Sequence, residues 1–166
     1  MKPLYLIGFM GSGKSTVGKA LGERWKLAVY DTDDEIVKKE NKSINQIFEQ
    51  IGEAGFRKLE TEMLSSLPIS DCIIMTGGGI ILKEENIEIM KENGVVILLE
   101  ATIDEILKRL EKDETRPLLK GEKKQNAMEL FENRKAQYLA AADMTIQTTS
   151  KSVEEIIQEI EKRLNL

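Results

Sequence analysis

Histidine is absent from this 166-residue chain. That excludes imidazole as a general base or metal ligand. Any proton acceptor must then be a carboxylate, and any metal a hard ion held by oxygens. Cysteine occurs once, so no disulfide framework can form within the chain. Cys72 sits in the apolar run Cys72-Ile73-Ile74-Met75 and reads as a core thiol rather than a nucleophile. A basic excess is also lacking. The net charge of −5 argues against a general nucleic-acid binder but leaves room for a local basic pocket. No apolar run approaches the roughly 20 residues that span a bilayer. A strand-like run opens at Leu4, so the expectation is a cytoplasmic protein with no signal peptide and no membrane partner. Internal repeats, low-complexity tracts and linkers are missing too, and 166 residues suit one domain, 1–166, with its own core.

What is present is most specific at Gly8 to Thr16, Gly-Phe-Met-Gly-Ser-Gly-Lys-Ser-Thr, a full match to the P-loop pattern. The apolar run Leu4–Ile7 precedes it and a helical pattern follows, the context the motif requires. Glycines at 8, 11 and 13 let successive N–H groups point inward, where they and the helix N-terminus cradle phosphate oxygens. Gly11, Ser12, Gly13, Lys14, Ser15 and Thr16 are therefore candidate nucleotide-binding residues. Lys14 can reach the β- and γ-phosphates, and the Ser15 hydroxyl can ligate Mg²⁺.

Short apolar runs recur at 4–7, 27–30, 72–76, 95–99 and 144–147. Helical periodicity fills 14–25, 34–51, 55–66, 83–92, 102–112, 122–140 and 152–164. This alternation predicts an α/β fold, a parallel sheet covered on both faces. Ser43 and Gln46 form a capping-box pattern before an apolar stripe, and Gly94 is a candidate helix C-cap. The charged stretch Leu110 to Lys124 contains Pro117 and Gly121 and reads either as a lid over nucleotide or as a solvated helix connection; Arg116 beside Pro117 favours the lid.

The second apolar run ends in Asp31-Thr32-Asp33-Asp34. Ligands of open α/β sheets bind beyond the carboxyl ends of strands. Asp31 is placed to reach the metal shell and Asp33 to face a second substrate; the alternative is that Asp33 or Asp34 only caps the next helix. Thr76-Gly77-Gly78-Gly79 stands where many P-loop enzymes carry an acid, so metal binding falls to Ser15 and Asp31. The three glycines allow close approach to the backbone. Arg57 has Glu60 three residues on, which can orient it toward a substrate carboxylate; the alternative is a surface ion pair. Arg134 lies on the helix after the lid. Arg116, on the lid, can swing onto the transferring phosphoryl group, and Arg109, at its base, can stack on adenine.

Taken together, the P-loop, Asp31-Thr32-Asp33, Phe56-Arg57, Gly77-Gly78-Gly79, Arg116-Pro117-Leu118-Leu119 and Arg134…Tyr138 resemble the shikimate kinase family in order and spacing over nearly the whole chain. The resemblance implies a three-layer αβα fold of the nucleoside monophosphate kinase type. Its five-stranded parallel sheet would run in order 2-3-1-4-5, with acceptor-binding helices about 32–62 and a lid about 110–124. It implies transfer of the ATP γ-phosphate to the 3-hydroxyl of shikimate, with Mg²⁺ as cofactor, by a monomer. Carried over, Asp33 is the base and holds substrate hydroxyls. Arg57 and Arg134 grip the carboxylate, while Gly78 and Gly79 meet the ring. Lys14 and Arg116 stabilise phosphoryl charge; Ser15 binds Mg²⁺ directly and Asp31 through water; Arg109 stacks on adenine. One departure stands out: the family often carries an arginine and a proline before the last helix, and here that loop is Thr148-Thr149-Ser150-Lys151-Ser152. Two rivals share the P-loop: a gluconate-type small-molecule kinase, and a nucleotide-binding protein without catalysis. Neither requires Asp33, Arg57, the three glycines and Arg134 together.

Overall fold

The computed structural model describes residues 1–112 and 122–166. Five parallel strands form one sheet in the order β2-β3-β1-β4-β5. They are β1 (Leu4–Ile7), β2 (Ala28–Asp31), β3 (Cys72–Met75), β4 (Val95–Glu100) and β5 (Met144–Gln147). The expected order is thus the observed one. The strands read as unbroken apolar runs because both faces are covered. Side chains alternate across the pleat, so Leu4 and Leu6 join one cluster while Tyr5 and Ile7 join the other. The first cluster packs Ile73, Met75, Ile97 and Leu99 against α1 (Lys14–Trp25) and α7 (Val153–Leu164). The second packs Ile74, Val96 and Leu98 against α3 (Ile44–Ser66), α4 (Glu84–Asn93) and α6 (Glu122–Ala141).

Between β2 and β3 the chain forms α2 (Thr32–Glu40) and then α3. The single helical stretch expected at 34–51 is in fact broken. Asn41 ends α2 in the left-handed region, and Ser43 starts α3 with both bonds of its capping box to Gln46. The stretches around 44–51 and 55–66 belong instead to one kinked element, bent at Gly52 (φ 70°, ψ −178°). That backbone conformation suits only glycine. Cys72 is buried, as its apolar run implied. Gly94 ends α4 by donating its N–H to the Met90 carbonyl at 2.9 Å. At the expected lid, Leu110 and Glu111 still belong to α5 (Ile103–Glu111), and residues 122–124 already belong to α6. Residues 113–121 of the expected lid, Arg116 among them, lie outside the described residues.

β1 sits between β3 and β4, so the connections leaving its neighbours diverge at its carboxyl end. Such a switch point opens a crevice in doubly wound sheets, and the P-loop occupies it.

Candidate active site

The P-loop joins β1 to α1 with Gly8, Gly11 and Gly13 at φ 148°, 76° and 101°, a backbone that side chains would strain. A Cβ on Gly8 would also lie 2.5 Å from the Leu99 carbonyl oxygen. The loop closes on itself as Ser12 N–H donates to the Phe9 carbonyl. Helices α2, α3, α5 and α7 each begin with a side chain capping the first turn, whereas α1, like α4, has none. The N–H groups of the first turn of α1 carry the positive end of the helix dipole toward whatever anion the loop receives. The Lys14 ammonium crosses the loop and donates to the Gly8 and Phe9 carbonyls, the latter at 3.1 Å.

Asp31 ends β2 and is itself the cap of α2. One carboxylate oxygen accepts from the N–H of Asp33 at 2.9 Å and of Asp34 at 3.2 Å. Capping by Asp33 or Asp34 is therefore overturned, which leaves the Asp33 side chain turned to the cavity. Burial pushes the Asp31 carboxyl above the usual range, opposed by the two N–H bonds and by Lys14. Ser15, Asp31 and Lys14 share one cavity wall. Among the described residues no cluster of three or more acids, cysteines or histidines could cage a metal. One hydroxyl and one carboxylate beside a phosphate cradle fit Mg²⁺, which keeps waters and takes phosphate oxygens.

The opposite wall is built around Arg57 and Glu60, three residues apart on α3. Glu60 is fully buried, and one of its oxygens accepts from Arg57 Nη1 at 2.6 Å. Burial raises the Glu60 carboxyl, the Asp33 charge raises it further, and Arg57 and Arg134 oppose the rise. The Arg57 guanidinium also lies over the Phe56 ring, 5.4 Å from its centre. Arg134 comes from α6, and with Asp33, Arg57 and Glu60 it lines a cavity of about 560 Å³. The Nε of Arg57 and the Nε of Arg134 are both buried without an acceptor among the described residues. Two desolvated guanidinium donors on one cavity form a receptor for a carboxylate.

Gly77 to Gly79 follow β3, and their role is space rather than left-handed backbone, since none has positive φ. A Cβ on Gly77 would lie 2.8 Å from Asp33 Oδ1 and 3.0 Å from Glu60 Oε2. One on Gly79 would overlap the Arg57 guanidinium. The backbone approach expected for a ligand is thus made first by the protein's own charged side chains.

Arg109 packs against the P-loop, donating to the Gly11 carbonyl at 3.0 Å and to Thr148 Oγ1 at 3.2 Å, while Glu105 holds its Nε. Thr148 in turn donates to the Ser12 carbonyl and is fully buried. The departing loop at 148–152 therefore reaches the nucleotide end of the site through Thr148, a residue that sequence alone did not single out. Thr32, which accepts from Gly77 N–H at 3.1 Å, and Tyr138, which donates to the Gly78 carbonyl, were also missed as site builders. Both stood in the motifs Asp31-Thr32-Asp33 and Arg134…Tyr138, without a role of their own, and Tyr138 follows Arg134 by four residues on the same helix face.

A P-loop at the switch point of a 2-3-1-4-5 sheet, facing a carboxylate and a guanidinium pair across one cavity, defines a P-loop phosphotransferase acting on a small anionic acceptor. The shikimate kinase family profile matches residues 10–165. A shikimate kinase of Bacillus cereus (strain G9842) is 45% identical over 166 residues, covering 100% of both chains. Among solved structures, shikimate kinase from Acinetobacter baumannii in complex with shikimate superposes with a TM-score of 0.90 at 36% identity, covering 99% of this chain and 94% of that one. Shikimate kinase from Aquifex aeolicus gives 0.85 at 41% identity, with 98% and 96% covered. The chain belongs to the shikimate kinase family.

Proposed function

We propose that this enzyme transfers the γ-phosphate of ATP to the 3-hydroxyl of shikimate, giving shikimate 3-phosphate and ADP. The observation that carries this is the pairing of Arg57 and Arg134, each with a buried unsatisfied Nε, in the cavity that also holds Asp33 and Lys14. The two arginines grip the acceptor carboxylate and so fix the ring against Gly78 and Gly79. Asp33 accepts the hydrogen bond of the attacking hydroxyl and takes its proton as the bond to phosphorus forms. The P-loop N–H groups and Lys14 hold the phosphate oxygens, and Arg116 adds charge at the transferred group. Phosphoryl transfer needs this positioning and charge neutralisation more than covalent help. Mg²⁺ would be held by Ser15 directly and Asp31 through water, and when bound it neutralises charge on the phosphate oxygens. Arg109 supports adenine on the far side of the P-loop.

The enzyme acts as one kinase domain, with residues 32–62 as its acceptor-binding region and 110–124 as its lid. The reading extends to action as a monomer. ATP as donor supports a cytoplasmic setting, and no helix among the described residues is long and apolar enough to cross a membrane. The acidic net charge supports the absence of a nucleic-acid partner.

A coupled ADP-release assay tests the reading. Turnover should depend on shikimate and vanish in Asp33→Asn, which should still bind ATP. Turnover with gluconate alone would establish the first rival, and nucleotide binding without any turnover the second. Wild-type kcat in Asp33→Asn would remove Asp33 from the chemistry.

A further inference from the structure

Tyr138 lies one helical turn beyond Arg134 on α6 and is 4% exposed. Its hydroxyl donates to the Gly78 carbonyl at 2.5 Å, across 60 residues of sequence. It does not line the 560 Å³ cavity, whereas Gly78 and Arg134 do. An ideal Cβ on Gly78 would lie 3.5 Å from both Arg134 Nη1 and Tyr138 Oη, so these two side chains flank the same glycine. At the next residue, Arg57 lies against Gly79. Each glycine of the Gly78–Gly79 peptide thus has one of the two guanidinium groups beside it.

A glycine run is the most entropically free backbone a site can use. Without a tie the Gly78–Gly79 peptide can rotate. Other ties hold its flanks: Gly77 N–H donates to Thr32 Oγ1 at 3.1 Å, and the Ile80 carbonyl accepts from Asn86 Nδ2 at 3.0 Å. Only the Tyr138 bond reaches the central peptide among these. In a trans peptide the carbonyl and the following N–H point in opposite directions. Holding the Gly78 carbonyl at Tyr138 therefore fixes the direction of the Gly79 N–H.

We propose that Tyr138 is a positioning residue for the acceptor, locking the Gly78–Gly79 peptide to the helix that carries Arg134 so that backbone and guanidinium meet the substrate as one rigid unit. The inference rests on reading the cavity as the acceptor site. Burial raises the Tyr138 phenol above its ordinary range, so it stays a protonated donor at neutral pH. The bond acts on the acceptor wall; the P-loop wall is built without it.

Tyr138→Phe removes the hydroxyl and keeps the ring. It should raise the shikimate KM roughly three- to tenfold, the equivalent of one hydrogen bond, while the ATP KM stays within about twofold. Replacing Tyr138 by p-aminophenylalanine, which retains a donor at the same ring position, should keep the shikimate KM near wild type. An unchanged shikimate KM in Tyr138→Phe overturns the proposal. So does an equal rise in both KM values, which is what general loosening produces. A raised shikimate KM in the p-amino variant overturns it as well, and serves if the phenylalanine variant fails to fold. Wild-type protein with no shikimate-dependent turnover would instead defeat the functional reading on which the proposal rests.

Discussion

A carboxylate with almost no solvent contact is costly unless something pairs it, and Glu60 is paired by Arg57. Its raised pKa fixes the sign of its effect on stability. The folded state holds the Glu60 proton more tightly than the unfolded chain does, where the reference value is 4.5. Its contribution to stability therefore falls as pH rises from about 4.5 through the raised folded value. Arg57 opposes this by favouring the charged form. Arg57→Ala should then have two effects. Shikimate binding should weaken by about 2–5 kcal/mol, as expected for a truncated buried charge pair, measured by calorimetry. Denaturant midpoints across pH 4 to 8 should also fall more steeply with pH than in wild type, because Glu60 loses its compensating charge. An unchanged shikimate Kd would remove Arg57 from the site, and parallel pH curves would remove its hold on Glu60.

The same economy of space governs whole elements. Helix α1 must lie close to the sheet to aim its N-terminus at the switch point, and two glycines permit it. A Cβ on Gly18 would overlap Met75 Sδ, and one on Gly22 would overlap Val29 Cγ2. Alanine at position 22 gains about 1 kcal/mol of helix propensity but meets overpacking of about 1–3 kcal/mol. Gly22→Ala should lower stability by up to about 2 kcal/mol in urea unfolding; a stabilised variant would show that α1 has slack. The strands, the Ser43 cap and the end of α4 were legible beforehand because each depends on neighbours within a few residues. The break at Asn41–Ser43 was half legible: the cap was visible, while the surrounding periodicity ran on across it. The kink at Gly52 was not legible, since a lone glycine in a helical pattern does not declare its backbone angles.

At the scale of the molecule, the site is assembled from segments far apart in the chain: the stretches 10–16, 31–33, 56–60, 75–79, 109–110 and 130–134 each contribute residues to one cavity. A ligand that bridges them binds only the folded state. MgADP at about 100 times its Kd should add about 2.7 kcal/mol of stability, a rise of roughly 5–10 °C in Tm for a chain of this size. EDTA should shrink that shift if Ser15 and Asp31 hold the ion. A Tm indifferent to MgADP would contradict a formed nucleotide site.

Sequence alone determined the class of fold and pointed to the phosphate site, because short unbroken apolar runs and the P-loop act through local backbone geometry. It also named Asp33, Arg57, Gly78, Gly79 and Arg134 as one group, and the fold brings these five to a single cavity. Tertiary structure decided which carboxylate caps α2, that Gly77 and Gly79 make room for Asp33 and Arg57, and that Thr32, Tyr138 and Thr148 secure the loops around them. Those outcomes depend on hydrogen bonds and steric contacts between side chains and backbone that the sheet's crossovers bring together, and such contacts leave no period or spacing in the chain.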